Sequence, residues 1–176
     1  AGAVRWTGND GGVDVDLVGG DDTTPVVGDS GSVGRVYVVT NLGVAAFAKS
    51  DGQLVWNAVL PDVNFDGRGD RMTPVLYNEK LYVVGAGSGT KAVYQLDAIS
   101  GSIEWVSMVD GFADSTSGQM TLVPDALGAG IHGLYFNVGT SATQPAMYGL
   151  AISPGGASLD WSSPGGYVAR SHVVYI

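Results

Sequence analysis

Along this chain, apolar residues alternate with small or polar ones at a period of two, in short runs that end at glycine. No longer stretch shows the 3.6-residue periodicity of an amphipathic helix. The clearest β runs are Arg35-Val36-Tyr37-Val38-Val39, Lys80-Leu81-Tyr82-Val83-Val84 and Gly133-Leu134-Tyr135-Phe136-Asn137. Each is followed by a phrase that reads as two strands around a tight turn. The first runs from Ala45 to Trp56 through Asp51-Gly52, and the second from Tyr94 to Trp105 through Ser100-Gly101. The third runs from Tyr148 through Gly155 and Gly156 to Trp161, with a small insertion. Glycine supplies the positive φ that such hairpin turns need. Thr24-Pro25-Val26-Val27 and Thr73-Pro74-Val75-Leu76 precede the first two units as edge-type strand starts, where proline costs no ladder hydrogen bond. The divergent Thr121-Leu122-Val123-Pro124 takes that place in the third.

The spacing is regular. Trp6, Trp56, Trp105 and Trp161 are separated by 50, 49 and 56 residues. Four strands in each unit, with tryptophan on the fourth, is the arithmetic of β-propeller blades. The predicted fold is all-β, a propeller of four-stranded antiparallel blades forming a single domain over residues 1–176. Full blades are expected at about 21–60, 70–109 and 119–163, with partial blades at 1–8 and 165–176. Three blades with partial flanks leave sheet edges open, which natural proteins avoid. The expectation is therefore a piece of a larger propeller, with a homo-oligomer or filament closed through those edges, or a small closed domain complete in itself, as the alternatives.

The phrase from Tyr94 to Trp105, with its Tyr-Gln-Leu-Asp strand, Ser-Gly turn and terminal Trp, resembles the blade repeat of the pyrroloquinoline-quinone-like propellers. The resemblance implies the fold strongly. It implies function weakly, since the family spans quinone-dependent alcohol dehydrogenases, an outer-membrane assembly lipoprotein and sensor ectodomains. The site of the dehydrogenases, as the resemblance would carry it over, uses an adjacent-cysteine disulfide, and this chain has no Cys.

Composition narrows the classes. The chain has 176 residues, 28 of them Gly, and a net charge of −9; of 17 acidic residues only Glu79 and Glu104 are Glu. Such a surface predicts no nucleic-acid partner, because neutralising phosphates takes a basic patch. No apolar run approaches the roughly 18 residues that span a bilayer, so no membrane insertion is expected. The absence of cysteine removes thiol chemistry and thiolate metal sites. The Asp-rich, Lys-poor composition, together with the family, points to an extracellular, cell-surface or periplasmic location.

The best candidate for chemistry is acidic. Asp62, Asn64, Asp66 and Asp70 stand at positions one, three, five and nine of a loop whose sixth residue is Gly67. That spacing lets one loop wrap oxygen ligands around calcium, the glycine permitting the sharp bend. Asp62, Asn64, Asp66, Arg68 and Asp70 form the candidate metal set, and calcium is the expected cofactor. The competing reading is an ion-free turn, since Asp, Asn and Gly favour turns anyway. Asp10, Asp14, Asp16, Asp21, Asp22, Asp110 and Asp114 fall in the equivalent connections, which predicts one strongly negative face.

Other patterns reduce to turns. Gly28-Asp29-Ser30-Gly31 looks like a serine nucleophile, but the only histidines, His132 and His172, follow it in the wrong order. Gly85-Ala86-Gly87-Ser88-Gly89-Thr90 leads into a strand, so no helix N-terminus awaits a phosphate. Arg68-Gly69-Asp70 shares its Asp with the calcium candidate, and the two isolated histidines predict no zinc site. The recurring Trp residues read as packing between blades. With no catalytic set found, the expectation is a non-catalytic propeller module that binds protein or extracellular polymer or serves as a scaffold. The alternatives are a self-assembling surface-layer subunit and a fragment of a quinone-dependent dehydrogenase.

Overall fold

The computed structural model describes residues 24–29, 31, 34–40, 42–61, 72–87, 90–109, 118–137 and 147–163. Within them the chain is all-β. The first blade is β1 (Val26–Gly28), β2 (Arg35–Val39), β3 (Gly43–Ala48) and β4 (Leu54–Val59). The second is entered through β5 (Met72–Thr73) and comprises β6 (Val75–Tyr77), β7 (Lys80–Gly87), β8 (Thr90–Asp97) and β9 (Ile103–Met108). The third is β10 (Gly118–Val123), β11 (His132–Asn137), β12 (Met147–Ser153) and β13 (Gly156–Ser162). In each sheet the four strands are antiparallel and adjacent in chain order. All three tryptophans of these blades lie on the last, outer strand.

Two local rules of chain geometry set these hairpins. Between β6 and β7 the turn is Asn78-Glu79, both at positive φ (48° and 58°), the two-residue arrangement whose twist matches that of antiparallel strands. Between β8 and β9 the turn is capped by Asp97. Its Oδ1 accepts from Ile99 N (3.1 Å), Ser100 N (2.7 Å) and Ser100 Oγ (2.8 Å). These donors hold the Asp97 carboxyl below its ordinary pKa, the Ser100 backbone hydrogen bond first among them. Gly101, at φ +77°, completes the turn. Strands β7 and β8 stay paired as far as Gly87 and Thr90, so most of the glycine-rich segment read as a loop belongs to the ladder.

A bulge recurs at one place in every blade. The register between third and fourth strands shifts at Ala46/Phe47, Gln95/Leu96 and Gly149/Leu150. Each shift skips one residue just before the tryptophan: Val55, Glu104 and Asp160. The extra residue twists the outer strand and re-aims the indole that follows.

Proline divides the innermost strand of the second blade. Pro74 separates β5 from β6, and β5 pairs in parallel with β10, Thr73 opposite Gln119. Thr24 N donates to Thr73 Oγ1 at 3.1 Å, so the innermost segments of all three blades are joined side by side.

Two apolar layers hold the blades face to face. Tyr37, Val39, Val44, Ala46 and Leu60 pack against Leu81, Val83, Ala92, Tyr94, Leu96 and Ala98. Tyr82, Val84 and Val93 pack against Met120, Leu134, Phe136, Tyr148, Leu150 and Ile152. A fully buried Leu, Val or Phe contributes roughly 2 kcal/mol, so these layers are the main cohesion between sheets. Strand alternation explains the arrangement: Leu81 and Val83 face the first blade, Tyr82 and Val84 the third.

The candidate metal set Asp62, Asn64, Asp66, Arg68 and Asp70 lies outside the described residues, as do Trp6, the Arg68-Gly69-Asp70 tripeptide, His172, both partial blades and the other acidic connections. Among the described residues no cluster of His, Asp or Glu could hold a metal ion.

Candidate functional site

One ladder of side chains repeats in all three blades. In the first, Tyr37 on β2 stands opposite Ala46 on β3, which stands opposite Trp56 on β4. The second has Tyr82, Gln95 and Trp105, and the third Tyr135, Gly149 and Trp161. The Tyr and Trp rings of each ladder lie close, at centroid distances of 5.8, 6.4 and 6.1 Å. The middle residue is small or slender because two rings converge over it. A Cβ at Gly149 would lie 2.4 Å from Trp161 Nε1. The tyrosines were visible in the sequence runs, but their pairing with the tryptophans needs the strand register.

At the seam between the first two blades the ladder grips a turn. The Tyr37 hydroxyl donates to the Ala98 carbonyl at 3.1 Å, and Trp56 Nε1 donates to the same oxygen at 3.3 Å. Gly101 of that turn lies against the indole: a Cβ there would come within 2.6 Å of the Trp56 ring. One carbonyl and one glycine, three residues apart, therefore seat a neighbouring turn on a Tyr–Trp pair. The sequence-based reading of the tryptophans as contacts between blades holds here.

The next seam is built differently. Ala151 holds the register place of Asp97 in the third blade, so no carboxylate folds the chain back. The ladder runs on instead, through Ile152 opposite Ala157 to Ser153 opposite Gly156. This longer hairpin settles over Ser107 rather than Trp105. Ala157 N donates to Ser107 Oγ at 2.8 Å, and a Cβ at Gly156 would stand 2.5 Å from that oxygen. Trp105 Nε1 is buried with no hydrogen-bond partner among the described residues. An unmet buried donor costs about 1–3 kcal/mol, so it is an informative exception.

Where the turn would have seated there is a cleft of about 700 Å³. The second ladder forms one wall, with Tyr77 and Asn78; Gly130, His132, Ser153 and Pro154 form the other. Tyr82 and Gln95 are 3% and 7% exposed. Burial, then the nearby Glu104 carboxylate and Tyr77, pushes the Tyr82 hydroxyl up to about 12, so it stays a neutral donor. Glu104, the bulge residue, accepts from both Lys80 Nζ and Gln95 Nε2. Lys80 also approaches Asp97 at 3.7 Å, and the Glu104 hydrogen bond raises its pKa. The charges at this mouth are thus paired with each other. His132 is not as isolated as its place in the sequence suggested. Its Nδ1 accepts from Asp125 N at 3.1 Å, lies 3.7 Å from Asp125 Oδ1, and its ring meets Tyr77 edge-on at 5.1 Å. Sequence reading missed Lys80, Gln95, Glu104 and His132 because four different strands, β7, β8, β9 and β11, bring them together.

The topology puts this cleft on the face that carries the first-to-second and third-to-fourth strand turns. The outer strands β4 and β9 end at the opposite face.

Comparison with known proteins finds a family model and a solved structure similar to this chain. The family model described as outer membrane protein assembly factor BamB, a pyrroloquinoline-quinone-like repeat, matches residues 41–133. Among solved structures, the crystal structure of BamB from Moraxella catarrhalis is similar over 78% of this chain, at 15% identity and a TM-score of 0.38. The chain covers 46% of that protein, somewhat under half its length. No curated protein matches.

Proposed function

Because the chain belongs to the family of the outer membrane protein assembly factor BamB, we propose that it is a non-catalytic scaffold that binds partner proteins outside the cytoplasm. The observation that carries this reading is the cleft between the second and third blades. It offers aromatic walls and a buried hydrogen-bond donor. Of its ionisable groups, Lys80 and Glu104 bond to each other. A polar-rimmed aromatic pocket with internally spent charges suits a neutral stretch of polypeptide better than it suits acid–base chemistry. The family is named for a factor that assembles outer membrane proteins, whose partners are themselves polypeptides, and this supports the reading of a periplasmic or cell-surface scaffold.

A photo-crosslinking residue placed at Asn78, exposed at the rim of the cleft, tests the reading in native cells. Covalent adducts with a specific protein are expected. Adducts with polysaccharide alone would redirect the function to polymer binding, and their complete absence would remove the cleft as a working surface.

A second reading, assembly of copies into an oligomer or filament, is favoured by the outer strands. Val59 and Met108 are 57% and 61% exposed, and each lies on a strand with no outer neighbour among the described residues. Sedimentation at rising concentration distinguishes the two: a mass fixed at one chain rules out assembly.

A further inference from the structure

We propose that the cleft between the second and third blades receives a glycine-containing tight turn of a partner polypeptide, held by one main-chain carbonyl. The proposal names the partner chemistry of the scaffold reading above and rests on it. The protein supplies its own precedent at the first seam, where a Tyr–Trp ladder accepts such a turn. There Tyr37 and Trp56 share the Ala98 carbonyl, and Gly101 lies flat on the indole because any side chain would strike it.

The second ladder repeats the two donors, Tyr82 and Trp105, in the same register. What it lacks is the turn. The third blade's hairpin passes over Ser107 instead, leaving Trp105 Nε1 buried and unmet, with a cleft alongside the Trp105 side chain. A carbonyl from outside would meet that donor as Ala98 meets Trp56, and a glycine three residues on would lie against the Trp105 ring. Nε1 is closed off from solvent in the unbound chain, so a partner carbonyl reaches it only with a shift of the residues that line the cleft. With Lys80 and Glu104 already paired, the turn need carry no charge.

The test uses the whole chain labelled with ¹⁵N and a cyclic peptide containing Asp-Ala-Ile-Ser-Gly-Ser, the sequence of the chain's own turn at 97–102. The indole N–H signals of Trp56 and Trp105 are assigned with Trp→Phe variants. Titration is expected to shift the Trp105 signal saturably and leave Trp56, whose acceptor is already in place, unmoved. Tyr82→Phe is expected to weaken binding about five-fold, the worth of one hydrogen bond. Replacing the peptide's glycine by valine is expected to abolish binding, a control that needs no protein variant to fold. A Trp105 signal unmoved at millimolar peptide would overturn the proposal, as would equal binding of the valine peptide. A shift produced by chitobiose but not by the peptide would overturn it in favour of a saccharide. If the peptide fails while Asn78 still crosslinks to a protein, the scaffold reading survives without this inference.

Discussion

Tyr37 and Trp56, on the second and fourth strands of one blade, donate to a single atom, the carbonyl oxygen of Ala98 in the next. Removing one donor leaves the oxygen satisfied by the other. Removing both leaves a buried acceptor bare. Tyr37→Phe and Trp56→Phe are therefore each expected to cost about 1 kcal/mol, and the double variant about 1 kcal/mol more than their sum. Urea denaturation of the four proteins measures the coupling. Strict additivity would show that the two bonds do not act on one acceptor.

The same seam predicts which glycines tolerate a methyl group. At Gly101 the backbone has φ +77° and a Cβ would stand 2.6 Å from the Trp56 ring, so both chain and neighbour resist. Gly101→Ala is expected to cost roughly 2 kcal/mol. Gly155 has nothing within 4 Å of its Cβ position, and Gly155→Ala is expected to lie within about 0.5 kcal/mol of the parent. Thermal melts of the two variants decide it, and similar losses in both would mean that the turn does not press on Trp56.

How much of this was legible in the sequence depends on what each feature is made of. The repeat of Trp56, Trp105 and Trp161 gave the blades, because a strand's chemistry is local and its period is two. The Tyr on each second strand was equally visible, but joining it to its Trp takes the bulge at Val55, Glu104 or Asp160, and a bulge has no fixed residue signature. The cleft was illegible for another reason. It arises from a difference between two hairpins, Asp97 folding one back and Ala151 letting the other run on. A small insertion near Gly155 and Gly156 was noticeable, but only the neighbouring blade shows that it uncovers Trp105.

Calcium binding is a prediction drawn from the sequence spacing of Asp62, Asn64, Asp66, Arg68 and Asp70. An ion held by several carboxylates in the native chain alone stabilises it in proportion to its occupancy. Millimolar calcium is expected to raise the melting temperature and EDTA to lower it. Asp66→Ala is expected to abolish the response. A melting curve indifferent to both reagents would remove the ion and leave an Asp-rich turn.

Tyr82 predicts the alkaline limit of the fold. Its hydroxyl is held neutral to about 12 against an ordinary value of 10.0, first by burial and then by the Glu104 carboxylate. A group whose folded pKa is raised contributes its full stability below the unfolded value and loses it as pH climbs through the folded one. The window is therefore pH 10 to 12, and the loss across it is of order 2 kcal/mol. Other tyrosines titrate nearby, so the assignment needs a variant. Tyr82→Phe keeps the ring that packs with Trp105 and removes the ionisable oxygen, and it is expected to flatten the decline in stability above pH 10. Should the variant and the parent lose stability in parallel across that range, the buried hydroxyl at the cleft wall is not what the alkaline limit reports.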